Sequence, residues 1–228
     1  MIPIKDRNPT DLFPAITIII IGITIVVFLY QLSLREPGFA KVATTFAVIP
    51  TAFLSAAFSP AQHARVLSSI FFHGGLLHIA GNMLFLWIFG NNVEDYLGHF
   101  KFLAFYLLCG VAATLAHIFT HPHSSVPVIG ASGAISGVLG AYFMLFPRAR
   151  VLTLVPIFFF LYFIEVPAYF FLGVYILFQF LNGLPSLGAD AIAAQGVAWF
   201  AHIGGFFSGI ALLLVFRKRA GFRRRTFR

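Results

Sequence analysis

A chain of 228 residues that is 60% hydrophobic and 10% charged, with a mean hydropathy of +0.93, is too apolar for a soluble domain and predicts a polytopic membrane protein. The formal charge of +8 does not indicate nucleic acid, because seven of the 15 Lys and Arg residues crowd into the terminal stretch RKRAGFRRRTFR, which reads as a basic tail beside anionic lipid. The single cysteine, Cys109, excludes a disulfide framework and a cysteine-based metal site.

A helix needs about 20 apolar residues to cross the hydrocarbon core. Taken in chain order, the first such run is 13–34, which lacks an A-x-A exit and so reads as a span rather than a cleavable signal peptide. The following loop, about 35–72, is long and semi-apolar and is expected to lie partly in the membrane interface. Further spans are expected near 73–90, 100–119 and 130–147. Residues 151–182 exceed one span, yet Pro156 and Pro167 interrupt them. Val151 to Ile164 is therefore read as an interfacial apron, with the fifth span at about 165–181 and the sixth at 197–216. With six spans and both ends inside, twelve Lys and Arg fall inside, while only Arg35, Lys41 and Arg65 fall outside, as the positive-inside rule requires. The expected fold is an all-α membrane protein, a six-helix bundle with cytoplasmic termini. No repeat or linker divides it, so residues 1–228 count as one domain.

Polar residues in membrane helices default to a functional reading. Three clusters qualify: His73, His78 and Asn82 in HGGLLHIAGN, Ser132 in GASGAISG, and His202 in AWFAHIGGFFSG. At 1.5 Å per residue, Ser132, His78 and His202 all fall within roughly 8 Å of the outer boundary, in one layer. His78 shares a helix face with Asn82, and Ser132 with Ser136. His73 and His78, five residues apart, would diverge by about 140° on one helix and are not expected to serve one small target. Gly133 with Gly137, and Gly205 with Gly209, form small-xxx-small strips that let two helices approach closely and bring Ser132 to His202.

A serine hydroxyl becomes a nucleophile when a base within hydrogen-bond reach takes its proton, and a neutral His202 fits that role. Of the seven acids only Asp190 lies near His202 on the outer side, so a Ser-His dyad is expected rather than a triad. The oxyanion formed by attack on a carbonyl needs preorganised donors. His78, the Asn82 amide and the backbone N–H of Ser132 are the candidates, the last because first-turn N–H groups lack intrahelical acceptors.

These residues resemble the rhomboid family of intramembrane serine proteases. Gly130-Ala131-Ser132-Gly133 matches its G-x-S-G, His73, His78 and Asn82 match its H-x4-H-x3-N, and Ala201-His202 with Gly204 and Gly205 matches its A-H-x-G-G. The resemblance implies a six-helix core whose cavity opens to the outer side and which cleaves transmembrane helices near their outer ends. It implies Ser132 as nucleophile, His202 as base, His78 and Asn82 in the oxyanion hole, and His73 as structural. Arg65 corresponds to the arginine of the family's Trp-Arg pair in the first loop. The chain departs from the pattern at Ala64, where that tryptophan is common, and at Ser136, where an aromatic often packs on the catalytic histidine. By the same analogy, motion of the fifth span or the loop after it admits the client laterally.

His63, His99, His117, His121 and His123 are read mostly as solvated residues near interfaces or in loops. No metal or cofactor is expected. The expected partners are the lipid bilayer and transmembrane protein substrates, with no nucleic acid, and the expected setting is a bacterial inner membrane. Two other functions compete. A catalytically inactive client-binding relative is disfavoured by the intact Ser132 and His202, and a channel or transporter by the apolar inner halves LFLWIFG, LGAYFMLF and ALLLVF.

Overall fold

The computed structural model describes residues 1–187 and 197–216, so the basic tail 217–228 and Asp190 lie outside the described residues. The chain starts as strand β1 (Ile2–Asp6), then enters helix α1 (Ala15–Ser33), whose apolar run carries no charge. The first turn of α1 would leave its N–H groups without acceptors. Glu94, fully buried, supplies them: its two carboxylate oxygens accept from the Ile16 and Thr17 amides at 2.8 Å each, and from the Thr17 hydroxyl at 2.7 Å. His99 Nδ1 meets the same carboxylate at 2.5 Å.

The semi-apolar loop folds into three short helices, α2 (Arg35–Phe46), α3 (Pro50–Ser55) and α4 (Pro60–Ser68), the last two each opened by proline at its first position, where no amide is missed. A long rod follows, made of α5 (Leu76–Phe85), a π-helical turn (Leu86–Gly90) and α6 (Asn91–Leu97). Helix α7 (His99–Thr120) and helix α8 (Ser132–Leu145) come next, and then α9 (Ala168–Gly183) and α10 (Trp199–Phe216). Five helical stretches, Ala15–Ser33, Leu76–Leu97, His99–Thr120, Ala168–Leu187 and Trp199–Phe216, are long and apolar enough to cross a membrane. The protein is a multi-pass membrane protein. The fourth expected span, 130–147, is shorter than expected: α8 has 14 residues, about 21 Å of helix, and from Gly133 to Tyr142 it is buried on every side. A helix enclosed by protein does not need the full width of the bilayer.

One expectation is corrected here. The fold is mostly helical but not all-α, and the stretch read as an interfacial apron, Val151 to Ile164, falls in a β-hairpin. Residues Arg150–Ile157 form β2 and Phe160–Pro167 form β3, an antiparallel hairpin, and β1 pairs with β2 to complete a three-stranded sheet in the order β1-β2-β3. The two prolines fit because Pro167 closes the last strand, where a missing amide costs little, and because Pro156 lies near the hairpin turn. Asp6 of β1 accepts a 2.7 Å bond from the hydroxyl of the fully buried Tyr142 on α8, which pins the sheet to the helical core.

The core is packed tightest where α8 runs against α7 and α10. On the α10 face, β-carbons at Gly205 and Gly209 would overlap the carbonyl oxygens of Gly133 and Gly137, so the two backbones are in direct contact along a glycine seam. On its α7 face, α8 sets Gly137 against Cys109, whose sulfur would overlap a β-carbon added there.

Candidate active site

The seam determines what meets at the N-terminal ends of α8 and α10. Ser132 opens α8 and His202 sits one turn into α10, and the two approach so that His202 Nε2 lies 2.8 Å from Ser132 Oγ. The other ring nitrogen, Nδ1, lies 2.8 Å from Oε1 of Gln179 on α9, a side chain 5% exposed. Because Oε1 can only accept, the proton sits on Nδ1, and Nε2 is left with its lone pair facing the serine hydroxyl. The dyad expected to stand alone thus has an orienting partner, a neutral amide rather than an acid.

The loop that delivers Ser132 is fixed at several points. Gly130 has φ +124°, a conformation that favours glycine, and a β-carbon there would lie 2.7 Å from His78 Nε2. The Gly130 amide donates to the Ser69 carbonyl at 2.9 Å, and the Ala131 amide donates to His73 Nε2 at 3.4 Å. His73 is fully buried, and its backbone is gripped by Gln31 of α1: the His73 amide donates to Oε1 at 3.1 Å, and Nε2 of Gln31 donates to the His73 carbonyl at 3.2 Å. The expected 140° divergence of His73 and His78 is corrected by this arrangement. His73 precedes α5 instead of lying on it, and the two rings sit edge to face with centroids 5.0 Å apart.

Ser132 and His202, both partly exposed, line a cavity of about 1050 Å³ together with His78, Asn82, Tyr175 and Gln179. Asn82 is buried and its Nδ2 has no hydrogen-bond partner among the described residues, although a β-carbon on Gly130 would come within 3.8 Å of it. A donor held in the wall beside the serine without an acceptor is what a developing oxyanion requires. Ser136, the departure at the aromatic position, hydrogen bonds the Tyr175 hydroxyl of α9 at 2.6 Å, and a ring near His202 comes from Trp199 instead, edge to face at 6.3 Å. Arg65 stands half-buried in the last turn of α4, with no ion pair among the described residues.

The reading of the remaining histidines as solvated is corrected for two of them. His117 and His121, one turn apart on α7 and its end, are buried, stack with centroids 4.7 Å apart and line the same cavity. His121 Nε2 meets the hydroxyl and carbonyl of Ser186, each at 3.2 Å. No group of three or more His, Cys, Asp or Glu is arranged to hold a metal among the described residues. Sequence reasoning missed Gln31, Tyr175 and Gln179. The two glutamines each interrupt an apolar span, the signal that singled out Ser132 and His202.

A family model, the rhomboid domain, matches residues 60–219, most of the chain and all of the elements that carry the cavity. The chain belongs to the rhomboid family. Among relatives, the presenilin-associated rhomboid-like protein A, mitochondrial, of Danio rerio is 30% identical over 177 residues, 71% of this chain and 42% of that protein. The rhomboid protein 1, mitochondrial, of Saccharomyces cerevisiae is 35% identical over 94 residues, covering 40% of this chain and 27% of the relative. The rhomboid protease GluP of Bacillus subtilis is 43% identical over 77 residues, 34% of this chain and 15% of that protein. The rhomboid chain described here thus spans less than half the length of each of these relatives.

Proposed function

We propose that this rhomboid family member is a serine endopeptidase that cleaves the transmembrane segments of other membrane proteins near their outer ends. The observation that carries the reading is the 2.8 Å contact of Ser132 Oγ with an oriented His202 Nε2 in the wall of a large cavity. Ser132 Oγ attacks the scissile carbonyl carbon while its proton passes to His202 Nε2. The resulting oxyanion takes hydrogen bonds from Asn82 Nδ2, His78 and the Ser132 amide at the head of α8. Collapse breaks the C–N bond, His202 returns the proton to the leaving amine, and an acyl-enzyme on Ser132 remains. Water then attacks the ester carbonyl and gives a proton to His202; the C–Oγ bond breaks as His202 passes that proton to Ser132 Oγ, and the new carboxylic acid leaves, losing its own proton to water. No nucleotide or metal enters these steps.

The client segment must unwind locally, because a continuous helix hides its carbonyls in its own hydrogen bonds, so glycine or proline in the client eases cleavage. In this reading the chain is one domain of six spans with α8 as the fourth, and the site opens to the outer side. Pairing of β1 with β2 supports the count. It holds the N-terminus and the α8–α9 connection on one side, which calls for an even number of crossings between them: α1, the α5–α6 rod, α7 and α8. Two of the three relatives are named as mitochondrial and one belongs to a bacterium, so the comparisons lend the bacterial inner membrane no support. The test is cleavage of a tagged single-span reporter in liposomes by wild type, Ser132→Ala and His202→Ala. Both variants are expected to lose cleavage, and full retention by Ser132→Ala overturns the protease reading.

A further inference from the structure

Helix α9 contributes no residue to the three motifs, yet one of its side chains contacts the dyad and a second contacts α8 one turn after the nucleophile. Gln179 Oε1 faces His202 Nδ1 at 2.8 Å, and one turn earlier the Tyr175 hydroxyl bonds Ser136, four residues after the nucleophile, at 2.6 Å. The orientation of the Gln179 amide is set on its far side, where Nε2 donates to the Tyr175 carbonyl at 3.4 Å, so the oxygen is the end presented to the imidazole. The protons therefore run in one direction: from Gln179 Nε2 to the Tyr175 carbonyl, from His202 Nδ1 to Gln179 Oε1, and from Ser132 Oγ to His202 Nε2. Reversing the His202 tautomer would turn Nε2 into a donor to Ser132 Oγ, with no lone pair left to take the serine proton, and would leave Nδ1 lone pair to lone pair with the amide oxygen.

We infer that Gln179 is the positioning residue of this rhomboid's active site, holding His202 in the Nδ1-protonated tautomer so that Nε2 can take the Ser132 proton; the inference rests on the Ser132–His202 reading above. A neutral amide does this without placing a second buried charge beside the base. It orients the imidazole but adds no anion to stabilise the imidazolium that forms as the proton is taken. Nucleophile activation then depends on α9 as well as on α8 and α10, since the orienting oxygen is carried on α9.

The test uses the full chain in detergent with three substitutions. Gln179→Met keeps length and volume but offers no comparable acceptor, Gln179→Asn withdraws the amide by one methylene, and Gln179→Glu keeps the accepting oxygen. The first readout is the rate at which a fluorophosphonate probe labels Ser132, which needs no client. The second is kcat and KM on the single-span reporter, and the third is the 15N shift pair of the His202 ring, assigned by the signals lost in His202→Ala. Gln179→Met and Gln179→Asn are expected to label and turn over about tenfold to a hundredfold more slowly with KM within about twofold of wild type, and Gln179→Glu is expected to restore most of the rate. The wild-type ring is expected to read as protonated on Nδ1. A wild-type ring protonated on Nε2 overturns the inference without any variant, as does wild-type labelling by Gln179→Met. Cleavage that survives Ser132→Ala instead overturns the protease reading, so the two failures are distinct.

Discussion

Among the described residues, Asn82 carries the one orphaned amide donor in the wall of the site, and the energetic logic of that orphan is specific. A buried N–H group without a partner costs about 1–3 kcal/mol, and one that lines the cavity holding Ser132 is placed to recover that cost in a hydrogen bond to an oxyanion. On the protease reading, Asn82→Ala relieves the resting state and penalises the tetrahedral intermediate, so kcat is expected to fall by about 10²–10³ while KM changes little. Steady-state kinetics on the reporter checks this, and a rise in KM at constant kcat would assign Asn82 to client binding instead. Asp6 presents a different residue-scale effect, outside the spans. Burial raises its carboxyl to about 6 from 3.8, with the Tyr142 hydroxyl and nearby amides pulling the other way. The folded protein then holds this proton more tightly than the unfolded chain. The stability it adds is complete below about pH 4 and is lost as pH rises through about 6, amounting to about 3 kcal/mol. Asp6→Asn, a mimic of the protonated form, is expected to be more thermostable than wild type at pH 7.5, with the gap closing by pH 4.

At the scale of elements, the glycine seam is the feature on which the dyad's geometry depends. Gly205 has the Gly133 carbonyl directly against it and Gly209 has Gly137, so neither helix can yield locally, and any side chain must push α8 and α10 apart. Gly205→Val is expected to destabilise the protein by about 1–3 kcal/mol and to abolish probe labelling of Ser132, because a displacement of about 1 Å breaks a 2.8 Å contact. Thermal unfolding followed by labelling separates the two effects, and unchanged labelling would show that the seam does not set the distance. This pairing was legible in the sequence, since Gly133, Gly137, Gly205 and Gly209 repeat at the four-residue interval that lines one helix face. The orienting role of Gln179 was not, because it depends on how α9 rotates about its axis, and nothing in AYFFLGVYILFQFLNG fixes that rotation. The sheet was hidden for a related reason. Residues 150–167 have the composition of a membrane helix, and the partner that helps fix them as strands, Ile2–Asp6, is remote in sequence. His73 was misplaced because a helix was extended through Gly74 and Gly75, where α5 in fact begins only at Leu76.

The whole molecule combines a bundle that spans the membrane with a sheet that has nowhere to bury its apolar edge. Phe158 and Phe159 at the hairpin turn are 95% and 98% exposed, and β3 presents apolar side chains on both faces. Such a surface is unfavourable in water by roughly 25 cal/mol per Å², whereas aromatic side chains are favoured at the headgroup level of a bilayer. Arg148 and Arg150 at the base of the hairpin, with Lys5 on the adjoining strand, add the positive charge that anionic headgroups attract, while Arg7 pairs with Glu165 of β3. The hairpin is therefore expected to lie in the interface on the side of the N-terminus, tilting its tip toward the acyl chains while β1 and Tyr142 hold its base to the core. A spin label at Phe159→Cys in a Cys109→Ala background reads this directly, since the chain contains one cysteine. In liposomes, collisions with lipid-soluble oxygen are expected to exceed those with a water-soluble nickel complex, and a label relaxed mainly by nickel would place the hairpin in solvent. Embedding also constrains the protease reading mechanically. With β3 running directly into α9, a hairpin seated in lipid anchors the N-terminal end of the helix that carries Gln179, while the contact of His121 with Ser186, just past α9, ties its other end, so the orienting amide is held from both sides.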